Sequence, residues 1–203
     1  MNLLLKAKKG FMAPLMRAER SLYLRDKKNR RKKILGEGYN GRVIVKNAFT
    51  VRKEKRRVPW VIGQSYKKEG RIQKRAAKAG VAPWVGKIKD DSFTMQRIRS
   101  STVESRLNTA NPKQQKRLAR TFTKKLNKLH DAGIDHRDLH LRNAVVTRRG
   151  KMMIVDYGKA KDYGRPLTTK ERRGDYRKVV KRYKGRQYEP FRSEVKKTYQ
   201  AFR

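Results

Sequence analysis

The segment 134–158, I-D-H-R-D-L-H-L-R-N-A-V-V-T-R-R-G-K-M-M-I-V-D-Y-G, constrains this chain more than any other. Ala144-Val145-Val146-Thr147 and Met152-Met153-Ile154-Val155 are β-rich apolar runs, and Arg148-Arg149-Gly150-Lys151 between them is a turn, so the segment reads as a hairpin. Such a hairpin holds Asp138, Asn143 and Asp156 near one another at one end. Oxygen-bearing side chains on a rigid support suit a hard divalent cation such as Mg2+, with the remaining positions left to water and phosphate. No hairpin demands Asp, Asn and Asp at these offsets; the bland alternative is a basic hairpin with incidental acids.

The same residues resemble the catalytic loop and metal-binding motif of the protein-kinase-like superfamily, H-R-D-L-x-x-x-N followed by D-F-G. His136-Arg137-Asp138-Leu139, Asn143 and Asp156-Tyr157-Gly158 fill that pattern, with Tyr157 in place of Phe. Upstream, Gly36-Glu37-Gly38-Tyr39-Asn40-Gly41-Arg42-Val43 fits G-x-G-x-x-G-x-V. Alone this is weak, since glycines serve any tight turn; standing ahead of the 134–158 segment it gains weight. The resemblance implies a loop between two strands whose backbone N–H groups approach ATP phosphates, with Gly36, Gly38, Gly41 and Val43 at the nucleotide.

Residues 42–46 and 49–53 read as a β-hairpin turning at Asn47-Ala48. The second strand should carry the lysine that neutralises the α- and β-phosphates. Strand alternation puts Lys53 and Lys55 on one face, so periodicity cannot separate them; Lys53 matches the ending of the V-A-x-K pattern, and Lys55 stays as the alternative. Residues 64–79 have a helical pattern closed by Gly80. Glu69 is the one acid in it, and the resemblance makes it the carboxylate that holds the strand lysine; a surface pair with Lys68 or Arg71 is the alternative. The run 79–83, A-G-V-A-P, resembles the helix exit of the small atypical kinases of the Bud32/RIO group.

Residues 85–88 and 92–98 are short strand candidates. The second falls where the resemblance places the hinge strand, with Met95 guarding the back of the adenine site and Gln96 and Arg97 offering backbone groups to the base. An ordinary core or edge strand fits them equally. Residues 100–112 read as a polar linker, 113–132 as an amphipathic helix with Leu118, Phe122, Leu126 and Leu129 on one face, and 171–183 as a helix carrying Asp175, a candidate anchor for the catalytic-loop backbone. No A-P-E triplet follows Gly158, and no sequence remains for a large helical platform.

The implied fold is α+β: a two-lobed protein-kinase-like fold with a small antiparallel β N-lobe and a reduced helical C-lobe. The expected division is a basic arm over 1–33, an N-lobe over 34–98, a C-lobe over 99–183 and a basic tail over 184–203. The implied activity is transfer of the ATP γ-phosphoryl group to a protein Ser/Thr hydroxyl. Asp138 would orient and deprotonate the acceptor, Asn143 and Asp156 would hold Mg2+, Lys53 would clamp the phosphates and Glu69 would hold Lys53.

Charge adds a second class of function. With 58 Lys and Arg against 17 Asp and Glu, the formal charge is +41, and such a surface attracts nucleic acid, anionic membrane faces or acidic proteins. A kinase-fold scaffold for nucleic acid or another polyanion, such as a virion component, and a small-molecule kinase are therefore the alternatives. The chain has no cysteine, so disulfides and thiolate zinc sites are excluded. No apolar run approaches the roughly 18 residues of a spanning helix. The setting implied is intracellular, in cytoplasm or nucleus or packaged in a virion.

Overall fold

The 134–158 segment folds as the hairpin its pattern predicts. In the computed structural model, which describes residues 33–37, 41–55 and 65–200, β8 (Ala144–Thr147) and β9 (Met152–Ile154) pair antiparallel with Val145 opposite Met153. A third strand, β6 (Ser100–Thr102), adds to β8, in a stretch whose polar composition reads as linker. The expected arm over 1–33 lies, but for Lys33, outside the described residues.

The N-terminal lobe is a five-stranded antiparallel sheet in the order β1 (Ile34–Glu37), β2 (Gly41–Val45), β3 (Thr50–Lys55), β5 (Ser92–Gln96), β4 (Val85–Ile88). The β2–β3 turn sits where Asn47-Ala48 predicts it. Asn47 Oδ1 accepts from the backbone N–H groups of Phe49 at 2.9 Å and Thr50 at 2.8 Å, a side-chain substitute for a backbone turn.

Helix α1 (Tyr66–Lys78) lies on this sheet, capped by Ser65, whose hydroxyl accepts from Lys68 N at 3.2 Å. Gly70 permits the close approach: a Cβ there would stand 3.2 Å from Phe93 Cγ and 3.3 Å from Ile88 Cγ1. Tyr66, Val85 and Phe93 form a small core beneath the sheet, and Ile72 and Ala76 of the same helix belong to the larger core below.

That larger core is built on α3 (Pro112–Asp131), which begins in a reciprocal capping box between Asn111 and Gln114. Of the predicted apolar face, Phe122, Leu126 and Leu129 are fully buried and Leu118 packs half-buried at the rim. Each fully buried side chain of this size removes from water an area worth about 2–3 kcal/mol. Around α3 stand α2 (Val103–Leu107), β7 (Ile134–Asp135), β10 (Lys161–Asp162) and α4 (Thr169–Arg182).

Of the stretch expected as a basic tail over 184–203, the described part, to residue 200, is largely helical. Helix α5 (Glu189–Gln200) docks on α3, burying Phe191 and Val195 to 1% and 0% exposure, with the Phe191 ring 6.1 Å from that of Phe122. Phe191 and Val195 are four apart and share a face, which the surrounding cations hide from a composition-based reading. Gln115 Nε2 donates to Gln187 O at 2.8 Å and fixes the approach to α5.

Candidate active site

Strand β3 presents Lys53 toward α1, and the two elements meet in an ion pair. Lys53 Nζ lies 2.6 Å from Glu69 Oε1 and 2.8 Å from Asp156 Oδ1, so one lysine joins a sheet strand, a helix and the end of the hairpin. Glu69 is 2% exposed, which explains a lone acid on so basic a helix: it is the counter-charge for a buried cation. Burial alone would lower the Lys53 pKa, but Glu69 and Asp156 outweigh it and raise it above the ordinary lysine value. Burial would likewise raise Asp156, and Lys53 holds it below its usual range. Lys55 takes no part: its backbone N–H donates to Asp91 O at 3.0 Å, at the far end of the strand.

The loop that carries Asp138 is held from beneath. Asp175, fully buried on α4, accepts from His136 N at 3.0 Å and Arg137 N at 3.2 Å, and its Oδ2 lies 3.2 Å from His130 Nε2. Burial would raise this carboxyl; the hydrogen bond from His130 and the neighbouring His136 hold it down. Those bonds keep Arg137 in the left-handed region at φ 63°, one residue before Asp138. His136 is itself buried, with Nε2 3.0 Å from Val155 O, and burial lowers its pKa. Val155 N donates to Asn143 O at 2.8 Å, and Asp156 follows at φ 64°. Asn143 Nδ2 donates to Asp138 O at 3.1 Å. Asp138, Asn143 and Asp156 thus surround one end of the hairpin, as its pattern predicts.

These groups open into a cavity of about 910 Å3 between the lobes, within the range typical of small-molecule sites. Of the predicted residues, Gly36, Gly41, Val43, Lys53, Glu69, Met95, Gln96, Asp138, Asn143 and Asp156 line it. Gly38 lies outside the described residues. Arg97 does not reach the cavity; its N–H is committed to Phe49 O at 2.8 Å, and the Gln96 N–H to Trp84 O at 3.0 Å. Ile98, one residue further on, takes the place on the wall that Arg97 was expected to hold. Gly41 also serves packing: a Cβ there would collide with the Tyr66 hydroxyl. Burial pushes Tyr66 up to about 12 against the pull of Lys53.

The wall suits a nucleotide. Val43, Val51, Ile72, Val145 and Tyr157 offer apolar surface on both sides, and Lys53 supplies the cation. The oxygen donors suit Mg2+ in kind. Among the described residues Asn143 Oδ1 has no hydrogen-bond partner while its amide nitrogen is fixed, and the Asp156 side chain is 52% exposed. Among the described residues no cluster of three or more His, Cys, Asp or Glu could cage a metal unaided. Two protein ligands completed by substrate phosphates is the usual Mg2+ arrangement.

Among the contributors that sequence reading missed are Tyr66, Gln73 and Lys159. Gln73 Nε2 donates to Pro83 O at 3.4 Å and approaches Met95 Sδ at 3.3 Å. Lys159 Nζ lies 3.1 Å from Asp138 Oδ2, and its place directly after D-Y-G was the available signal.

Comparison with known proteins shows the family. The RIO domain family matches residues 39–197, a span that includes Phe191 and Val195 of α5. The KEOPS complex subunit Bud32 of Pyrococcus abyssi is 30% identical over 129 residues, 60% of this chain and 57% of that protein. The Saccharomyces cerevisiae serine/threonine-protein kinase PRR2 is 49% identical over 41 residues, 20% of this chain and 6% of its own length. The chain therefore spans less than two thirds of these curated relatives. Among the described residues, no helix is long and apolar enough to cross a membrane.

Proposed function

This chain belongs to the RIO-domain family of atypical, protein-kinase-like proteins, and from that premise we propose that it is an ATP- and Mg2+-dependent kinase acting on a Ser/Thr hydroxyl of a protein. The observation that carries the reading is the placement of Lys53 between Glu69 and Asp156, on the wall of a cavity that Asp138 and Asn143 also line.

Phosphoryl transfer needs positioning and charge neutralisation more than covalent help. Glu69 is buried and holds Lys53 from behind, whereas the Asp156 side chain is half exposed. The Lys53–Asp156 contact is therefore the exchangeable one, which phosphate oxygens would replace. Asn143 and Asp156 would hold the magnesium, which when bound neutralises phosphate charge. Asp138, fixed by the Asp175-anchored loop, would orient the acceptor hydroxyl and take its proton as the γ-phosphorus bonds to the acceptor oxygen and the bond to ADP breaks. An acidic protein acceptor fits the +41 charge, since a cationic surface raises the encounter rate with anionic partners. The setting we propose is intracellular. The polyanion-binding scaffold, including a virion component, draws no support from the relatives above.

The test is transfer of label from γ-labelled ATP to acidic proteins and to the chain itself. Asp138→Asn should abolish transfer while ATP still binds. A variant that keeps the wild-type rate would remove Asp138 from its role.

A further inference from the structure

Cations are abundant in this chain, yet few stand at the acceptor end of the cavity. Arg137 turns away to Asp135, with Nε 3.2 Å from Oδ2, and Arg142 to Glu104, 2.7 Å from Oε2. Lys178 is bonded to the Arg137 carbonyl. His140 is held below its ordinary value by burial and by Arg182 nearby, so it brings no charge at neutral pH. The cavity wall carries three lysines among the described residues: Lys53, Lys68 and Lys159. Lys53 is bound to Glu69 and Asp156, and Lys68 stands on α1 in the other lobe. Lys159 alone of the three touches the catalytic loop, with Nζ 3.1 Å from Asp138 Oδ2.

The backbone beneath Lys159 is anchored on both sides. Ala160 N donates to Tyr157 O at 3.0 Å, closing the turn, and Tyr157 is fully buried with its ring 5.1 Å from that of His136. Two residues later Lys161 pairs with Asp135 in the β10–β7 ladder. The side chain, by contrast, is 69% exposed and its partner Asp138 39% exposed. An exposed ion pair of this kind is weak and opens readily. A flexible ammonium on a fixed root, beside the group that receives the acceptor, can change partners without any movement of the fold.

We propose that Lys159 is a catalytic residue: it leaves Asp138 when the acceptor hydroxyl arrives and moves onto the oxygens of the transferring phosphoryl group. This rests on the phosphotransferase reading and deepens it. In the step, the acceptor oxygen bonds to the γ-phosphorus, the bond to the β-phosphate oxygen breaks with its electrons leaving on ADP, and the hydroxyl proton passes to Asp138. Lys159 neutralises the negative charge spread over the equatorial oxygens and changes no bond itself. Until the acceptor is present, the same lysine caps Asp138.

Two measurements test it on the full chain. Lys159→Met should lower kcat on the order of 10²-fold, the loss expected for one donor aimed at developing charge, with KM for ATP little changed and Lys159→Arg restoring part of the rate. In calorimetry with an acceptor protein from the label-transfer assay present, aluminium fluoride should tighten binding of ADP with Mg2+ to wild type as a mimic of the transferring group. Lys159→Met should bind ADP equally and lose that gain. An equal fluoride gain or equal kcat in the methionine variant overturns the role of Lys159 alone, provided wild type transfers phosphate and Asp138→Asn does not. Absence of transfer by wild type overturns the phosphotransferase reading and this inference with it.

Discussion

The two sides of the cleft are held by different physics. On the C-terminal side, Asp175 is sealed from solvent and spends its oxygens on two backbone N–H groups and His130. On the N-terminal side, Lys53 is held by two ion pairs, a buried one to Glu69 within the lobe and a half-exposed one to Asp156 that reaches across the lobes. The first arrangement is closed to any ligand and can only position the loop. The second remains open to exchange, so the groups that hold the apo geometry are those that would meet phosphate and metal. Rigidity thus comes from a buried anchor beneath the loop that carries Asp138, and exchange from the ion pairs that Lys53 makes at the cavity.

The contrast breaks most sharply at Asp175. Asp175→Ala leaves two backbone donors and a histidine without their partner and should cost about 3–5 kcal/mol, read as a fall in the denaturant midpoint. A loss within experimental error would mean the loop is held by something else. Lys53→Met, on the other wall, should act mainly on turnover, lowering kcat/KM about 10²–10³-fold in the labelled-ATP assay. If it unfolds the chain instead, the Lys53 network is structural like the Asp175 one.

Acid should weaken the fold in two stages. Burial depresses the His136 pKa, so the unfolded chain takes up a proton near the ordinary value of 6.5 that the folded chain refuses. Stability therefore falls as pH drops below 6.5. Asp175 and Asp156, both depressed, contribute stability above the ordinary value of 3.8 that is lost as pH falls through their folded values. Asp135, raised by burial and by Asp175, works weakly in the opposite sense. Denaturant midpoints measured from pH 8 down to 3 should show the slope, and a flat profile would contradict the burial of these groups. The smallest effect belongs to Lys67–Asp90, 2.9 Å apart but 49% and 88% exposed; Lys67→Ala should change stability by less than about 1 kcal/mol.

Much of this was legible in the sequence, for reasons visible residue by residue. Asp138, Asn143 and Asp156 were found because a hairpin has a fixed geometry and their offsets are not what a hairpin needs. Glu69 was found because one acid in a basic helix has few reasons to be there. Lys53 and Lys55 could not be separated by period, because they share a face; distance along the strand separates them, and only Lys53 is level with Glu69. Arg97 was misjudged because backbone roles leave no mark on residue identity, and its N–H is taken by Phe49 O. Helix α5 was hidden by its charges, which outnumber the two residues, Phe191 and Val195, that bury it. Lys159 was passed over as one lysine among many. Its partner is a matter of tertiary geometry.

The most direct measurement of the cleft's purpose is calorimetric titration of ATP with and without Mg2+, on wild type and on Asp156→Asn. Magnesium should tighten ATP binding to wild type and have little effect on the variant, whose circular dichroism should match that of wild type. Wild-type affinity indifferent to magnesium, or no ATP binding at all, would contradict a nucleotide site built from Lys53, Asn143 and Asp156.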